Sequence, residues 1–163
     1  MFLGSSLENS EAYYKLGIPV VKSILIHGVS GVGKKRLVKL VNEVLGCTMY
    51  EISIHDLLLF NEEEYDLVQF KKYNPFSLLL NKVIQQHIPA TIVIHDLDAL
   101  DKNNNKTTKI LTILSEGIQK IVNKGSSCSV IVIGLACQLR SLPQSLQNSD
   151  IFGQHMLIPI PSR

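Results

Sequence analysis

The fold is decided by one stretch of the chain, Gly28-Val29-Ser30-Gly31-Val32-Gly33-Lys34. A short apolar run, Ile24-Leu25-Ile26-His27, comes directly before it, and the helical pattern Arg36-Leu37-Val38-Lys39-Leu40 comes directly after it. The stretch matches G-x-x-x-x-G-K, the pattern of a loop that joins a buried strand to a helix and wraps phosphate groups. The sequence therefore predicts a phosphate-binding loop, the P-loop, at the carboxyl end of a strand.

The residue types of this loop explain why it could hold an anion. Glycine lets backbone N–H groups turn inward, the start of the following helix adds partial positive charge, and a lysine ammonium can reach terminal phosphates. A tight turn without a ligand is the alternative interpretation. The predicted nucleotide-binding residues are Gly28, Val29, Ser30, Gly31, Val32, Gly33, Lys34 and Lys35.

The position after Lys34 departs from the motif. A Ser or Thr hydroxyl there normally holds Mg²⁺, but this chain has Lys35. An ammonium group supplies positive charge beside phosphates, yet it cannot act as an oxygen ligand in an octahedral metal site. The sequence predicts no metal-ligating residue, so we expect the nucleotide to bind with little dependence on Mg²⁺. The basic run from Lys34 to Arg36 is assigned to this phosphate site.

Composition excludes several other classes of protein. The chain has 163 residues, of which 45% are hydrophobic, and a net charge of +2. This length suits one domain with a sizeable core, and the charge is too small to indicate nucleic-acid binding. No apolar run approaches the length of a membrane span, so we expect no membrane insertion and a cytoplasmic location. Three widely spaced cysteines indicate neither a disulfide framework nor a zinc site.

Periodicity predicts an α/β fold. Strands are expected near residues 23–27, 48–54, 91–94, 129–133 and 156–158, and helices over 7–16, 34–45, 75–87 and 109–122. The inward side of the helix after the P-loop is expected to consist of Leu37, Leu40, Val41, Val44 and Leu45, with Gly46 ending it. Strands that alternate with helices of this length form a mostly parallel five-stranded sheet in a three-layer sandwich.

A second motif, Ile92-Val93-Ile94-His95-Asp96-Leu97-Asp98-Ala99-Leu100, gives the chain a resemblance to a known family. Together with the P-loop it resembles the AAA ATPases, whose Walker B strand commonly ends in D-E-x-D-A-[IL]. Four further segments resemble that family in order: the helix and turn Tyr14–Pro19, the sensor-1 strand Val132–Cys137, the segment Ser141–Leu146 and the closing Ile158–Pro161. The resemblance implies ATP as the ligand and a single domain over 1–163. An N-terminal helix and turn would occupy 1–20 and the α/β core 21–161, without the helical lid.

Matched to the family position by position, the catalytic groups are altered. His95 stands at the Walker B aspartate and Asp96 at the catalytic glutamate, so Asp96 is the candidate catalytic residue. Cys137 stands at the sensor-1 asparagine, and Asn148 and Ile151 stand where a neighbouring subunit supplies arginine fingers. Since an arginine finger contributes ~10³–10⁵ in rate, the resemblance implies weak or absent hydrolysis.

Other interpretations stay open at this point. A shifted alignment makes Asp96 the metal-binding aspartate and Asp98 the catalytic acid. In the unshifted alignment Asp98 matches the family's D-A-[IL], where a structural carboxylate is the simpler interpretation. The domain could also be an active ATPase whose neighbours compensate for its altered residues, or an interaction module that has lost nucleotide altogether.

The resemblance also implies partners. Degenerate AAA domains occur as the first ATPase domain of double-ring proteins, which act on a protein substrate or receptor. The closing segment is similar to that domain in the peroxisomal ATPases that extract import receptors, which implies the cytosolic face of the peroxisome, and other double-ring unfoldases such as the valosin-like ATPases stay open as alternatives. We therefore expect other AAA subunits as partners in a homo- or hetero-hexameric ring. The candidate pore loop, Leu57-Leu58-Leu59-Phe60-Asn61, lacks the usual glycine, which favours a ring that does not grip substrate.

Overall fold

A computed structural model describes residues 22–59, 75–125, 128–148 and 150–160 of the chain. The strands are β1 (Ser23–His27), β2 (Thr48–Ser53), β3 (Ala90–His95), β4 (Val130–Ala136) and β5 (Gln154–Leu157). The helices are α1 (Lys34–Leu45), α2 (Ile54–Leu59), α3 (Pro75–Gln85), α4 (Asn105–Lys124) and the single turn α5 (Gln144–Gln147). The expected helix over 7–16 and the last two residues of the candidate pore loop, Phe60 and Asn61, lie outside the described residues.

The five strands form one sheet in the order β2-β3-β4-β1-β5, and every pairing is parallel. The predicted α/β class is confirmed, and the sheet is fully rather than mostly parallel. Because the strands run in one direction, their carboxyl ends share one edge: His27 pairs with Ala136, and His95 pairs with Ser53. The P-loop after β1 therefore lies beside the ends of β3 and β4.

Two apolar clusters cover the faces of the sheet. Helix α1 packs through Val38 against Ile24, Ile26, Val93 and Ile133. The opposite face packs against α2, α3 and α4 in a larger cluster that contains Leu25, Ile92, Phe76, Leu80 and Leu114. Burial on both faces is what requires the strands to be continuously apolar, as β1, β3 and β4 are. None of the helices among the described residues is long and apolar enough to cross a bilayer.

The predicted inward side of α1 was partly wrong. Leu40 and Val44 are 51% and 77% exposed, whereas the buried residues of this helix are Val38 and Asn42. The buried face of α1 is therefore rotated about the helix axis by about one residue, or ~100°, from the face that carries most of its apolar side chains. Asn42 tolerates burial because its side-chain amide donates to the Val38 carbonyl at 2.8 Å. Gly46 ends the helix in a left-handed conformation, as predicted.

Several element boundaries differ from the predictions by one to four residues, and the largest differences are at α4 and β4. Helix α4 begins at Asn105 rather than near residue 109, because the Asn104 side chain caps it by accepting from the Lys106 N–H at 2.9 Å. Strand β4 continues through Gly134 to Ala136 rather than ending at residue 133. Glycine suits this central position, since a Cβ there would lie 2.7 Å from side-chain atoms of both Leu97 and Phe152.

Replacing Gly117 tests the contact between α3 and α4. A Cβ at this position would overlap the Cε1 of Phe76, a ring with no solvent exposure. We expect Gly117→Ala to lower the free energy of unfolding by about 1–3 kcal/mol through overpacking, despite alanine's higher helix propensity. Urea unfolding measures this change. Ser115→Ala on the exposed side of α4 is the control, and a stabilised Gly117→Ala would contradict the packing described.

Candidate phosphate-binding site

The P-loop takes its shape from two glycines in left-handed backbone conformations. Gly31 has φ 88° and Gly33 has φ 97°, a region that other residues enter only with strain. Gly33 directly precedes α1, and its carbonyl accepts from the Leu37 N–H at 2.9 Å. Gly28 is needed for a different reason, since a Cβ there would lie 2.7 Å from the Ile158 carbonyl oxygen.

The ammonium group of Lys34 lies across this loop. Its Nζ donates to the Gly28 carbonyl at 2.5 Å and to the Val29 carbonyl at 3.3 Å, and it lies 3.8 Å from the Cys137 Sγ. The lysine is therefore held between β1 and β4, where the loop's own carbonyls compensate its charge. An incoming phosphate would offer stronger, charged acceptors to the same ammonium.

A cavity of about 470 Å³ lies between the P-loop and the carboxyl ends of β3 and β4, and we call it the P-loop cavity. Of the predicted binding residues, Ser30, Gly31, Gly33, Lys34 and Lys35 line it. Gly28, Val29 and Val32 do not; the first two supply the carbonyls that hold Lys34, and the Val32 N–H donates to Val29. Arg36 lines the cavity as well, as the basic run predicted.

The two carboxylates after β3 have different environments. Asp96 is exposed, lines the P-loop cavity in a left-handed conformation with φ 63°, and accepts from the Ser53 hydroxyl at 3.0 Å. Asp98 accepts from the backbone N–H groups of Cys137 at 2.7 Å and of Gln138 at 3.3 Å. Asp98 thus joins the ends of β3 and β4, which supports its interpretation as a structural carboxylate over the shifted alignment.

His95 is the last residue of β3 and shares the face of Val93, which is the face that α1 covers. Its Nε2 lies 3.1 Å from the Glu51 Oε1, and its Nδ1 is buried with no hydrogen-bond partner among the described residues. Glu51 was not predicted as part of the site. The available signal was a charged residue within the apolar alternation of β2, two positions before the end of the strand.

Three further positions differ from the family's catalytic residues in the resemblance, namely Cys137, Ile151 and Asn148. Cys137 lines the P-loop cavity beside Lys34, so a thiol takes the place expected for an amide. Ile151, which the resemblance matches to an arginine-finger position, is only 7% exposed and belongs to the main apolar cluster. Asn148 is exposed, and its side-chain oxygen accepts from Gln144 at 3.3 Å. Neither side chain can supply a cation to a neighbouring site.

His27 does not add a positive charge to the loop. Burial lowers the pKa of His27, and the nearby His155 lowers it further. The imidazole directly before Gly28 therefore favours its neutral form. The positive charge that faces the P-loop cavity comes from three consecutive residues of α1, which are Lys34, Lys35 and Arg36.

Comparison with known proteins places the chain in a family. The profile of the "ATPase family associated with various cellular activities (AAA)" matches residues 24–160, so the chain belongs to the AAA family. It is also 25% identical over 167 aligned residues to a protein of Plasmodium falciparum (isolate 3D7) named as a cell division cycle ATPase. That alignment covers 95% of this chain and 12% of the relative, so the chain corresponds to a small part of the relative's length.

The AAA family implies a nucleotide and, with it, Mg²⁺. The nucleotide fits the glycine loop and its three cations, whereas the side chains beside them match the ion poorly. Lys35 places an ammonium where the family has an oxygen ligand, Asp98 is engaged by two backbone amides, and Asp96, which accepts from Ser53, is the remaining carboxylate of the cavity lining. No group of three or more His, Cys, Asp or Glu side chains suited to a metal occurs within the described parts of the chain.

Matched asparagine substitutions test the two carboxylates. In Asp98→Asn an NH₂ group would face one of the two backbone N–H donors, so we expect the free energy of unfolding to fall by about 1–2 kcal/mol. In Asp96→Asn the asparagine keeps an acceptor for the Ser53 hydroxyl and tolerates positive φ. The free energy of unfolding of this variant should therefore stay within about 0.5 kcal/mol of the wild type. Urea unfolding of both variants measures the difference. Equal losses would contradict the structural role of Asp98.

Proposed function

We propose that this AAA domain binds ATP without needing a divalent cation, hydrolyses it slowly or not at all, and acts structurally in a larger assembly. The observation that carries this proposal is the charge around the P-loop cavity. Three cationic side chains line it on the α1 side, while Asp98, one of its two carboxylates, is already bound by backbone N–H groups.

Positive charge from side chains can replace part of what a metal supplies. A triphosphate carries several negative charges, and charge-assisted hydrogen bonds from Lys and Arg to phosphate oxygens are about twice as strong as neutral ones. Lys35 adds such a donor at the position where the family has a metal-binding hydroxyl. Binding then depends on the cationic side chains of the protein itself rather than on an ion.

Slow hydrolysis follows from the positions that have changed. Phosphoryl transfer depends on positioning and charge stabilisation. Asp96 is one methylene shorter than the family's catalytic glutamate, and its carboxylate accepts from the Ser53 hydroxyl, so we expect it to position water poorly. Ile151 is buried in the core and offers no cation to a neighbouring subunit. We therefore assign Asp96 only a weak catalytic role.

AAA domains commonly form oligomeric rings, and we propose that this chain takes part in one with other AAA subunits, acting on a protein substrate or receptor. Within that proposal, the resemblance of residues 138–152 to the first ATPase domain of peroxin-1 favours a double-ring assembly at the cytosolic face of the peroxisome. The relative's name offers a second candidate, an assembly of the cell division cycle type. Substrate capture by the assembled ring in cells would distinguish the two.

Thermal unfolding with ATP tests the binding proposal. A ligand that binds only the folded state stabilises it by mass action, by about 2.7 kcal/mol at one hundred times its dissociation constant. We expect ATP to raise the melting temperature equally in EDTA and in excess Mg²⁺. Lys34→Ala should abolish the shift, whereas Lys39→Ala, an exposed lysine of the same helix outside the cavity lining, should keep it.

Other outcomes would contradict the proposal in distinct ways. A shift that requires Mg²⁺ would favour a working ATPase, which turnover measurements on the assembled ring could then confirm. No shift at saturating ATP would favour an interaction module without nucleotide. A shift that survives Lys34→Ala would place the nucleotide somewhere other than the P-loop.

A further inference from the structure

Two reactive side chains meet in the lining of the P-loop cavity. The Lys34 Nζ lies 3.8 Å from the Cys137 Sγ, and both residues line the cavity. The proposed binding of ATP uses the amine and gives the thiol no task. The two carbonyl groups that accept from the same Nζ, those of Gly28 and Val29, are chemically inert. The thiol is therefore the neighbour with which this amine could form a covalent link.

The backbone on both sides of this pair is fixed. The Gly28 N–H donates to the Ala136 carbonyl at 3.2 Å, which joins the loop that carries Lys34 to the end of β4. The Cys137 N–H donates to the Asp98 carboxylate at 2.7 Å. The amine and the thiol are thereby kept close together, although they lie 103 positions apart in the sequence.

The other two cysteines have different surroundings. Cys128 is only 4% exposed, so a dissolved oxidant has little access to its thiol, and Lys22 donates to its backbone carbonyl. The Cys47 thiol is half-buried and lies 3.9 Å from the Leu45 carbonyl oxygen, and burial raises its pKa, which lowers the fraction present as thiolate. Reactive cysteines lie in partly exposed, positively charged surroundings, and among the three thiols Cys137 has such surroundings in the P-loop cavity.

We propose that Lys34 and Cys137 form a modification site, at which an oxidant links the two side chains through an N–O–S bridge. With molecular oxygen as the oxidant, the ammonium loses two hydrogens and the thiol loses one. One oxygen atom is inserted between Nζ and Sγ, and the other leaves as water together with one released proton. Nitrogen and sulfur each give up two electrons, and these four electrons reduce both oxygen atoms.

The bridge would remove the group on which binding of the triphosphate depends. The free Lys34 ammonium can donate charge-assisted hydrogen bonds to phosphate oxygens. In the bridged state its nitrogen is uncharged, keeps one N–H and is tied to the end of β4. Two dithiol molecules, each oxidised to a disulfide, supply the four electrons that return the amine, the thiol and water. Oxidation would thus close the phosphate site reversibly.

ATP and the oxidant should compete for the same pair. A bound triphosphate draws the Lys34 ammonium toward its own oxygens and fills the cavity that leads to the Cys137 thiol. We therefore expect ATP to slow formation of the bridge. This consequence, like the loss of ATP binding on oxidation, rests on the proposed function, whereas formation of the bridge does not.

Peptide mass spectrometry of the full chain, kept in air-saturated buffer with EDTA, tests the bridge itself. We expect a crosslinked pair of peptides that contain Lys34 and Cys137, heavier than the two free peptides by one oxygen atom minus two hydrogen atoms. Dithiothreitol should return the free peptides. Lys34→Arg, which keeps the charge, and Cys137→Ser should each abolish the crosslink, whereas Cys47→Ser should keep it. The measurement on the unaltered chain stands even where a variant fails to fold.

Calorimetric titration with ATP in EDTA tests the consequence. The bridged chain should bind ATP about tenfold or more weakly than the reduced chain, and dithiothreitol should restore binding. Cys137→Ser should show the same affinity before and after exposure to air.

The possible failures are distinguishable. Absence of the crosslink, oxygen added to Cys137 without a link to Lys34, or a bridged chain that binds ATP as tightly as the reduced one would overturn the inference and leave ATP binding intact. A reduced chain that forms the bridge but does not bind ATP would overturn the proposed function and leave the modification site standing.

Discussion

The parallel pairing of β4 with both β1 and β3 is the constraint on which the site depends. Gly134 of β4 pairs with Leu25 on one side and Ile94 on the other, and its missing side chain leaves room for Leu97 and Phe152. This pairing fixes the strand ends at one edge, so that the P-loop, the turn after β3 and the turn after β4 enclose one cavity. Asp98 then holds the latter two turns together through backbone N–H groups of both Cys137 and Gln138.

The chain has the fold of an AAA domain, and we propose that the chemistry around its phosphate site differs from that of an active ATPase. The glycine loop and Lys34 have the geometry that phosphate binding needs, and they depend only on local backbone conformation and on the start of α1. In the resemblance, Lys35 at the start of α1 and His95 at the end of β3 stand where the family has groups that hold an ion. The proposed function therefore separates anion binding, which uses the loop, from hydrolysis, which also needs groups at the end of β3.

Sequence patterns predicted local features well and long-range ones poorly. The bounds of β1 and α1 were predicted correctly, since the glycine loop and Gly46 mark both ends of the helix. The buried side of α1 was predicted incorrectly. Packing against the sheet decides which side of the helix is buried, and it buries Asn42 while Leu40 stays exposed. The contacts of His95 with Glu51 and of Asp98 with Cys137 join residues about forty positions apart. Sequence periodicity does not predict such contacts, because they depend on the order of the strands in the sheet.

The most direct test of the account is a crystal structure with ATP and Mn²⁺, which replaces Mg²⁺ and is located by its anomalous scattering. We expect a triphosphate over Gly31 and Lys34, with Lys35 toward its phosphates and no Mn²⁺ within coordination distance of a protein side chain. An Mn²⁺ ion bound directly to Asp96 and to the phosphates would contradict it.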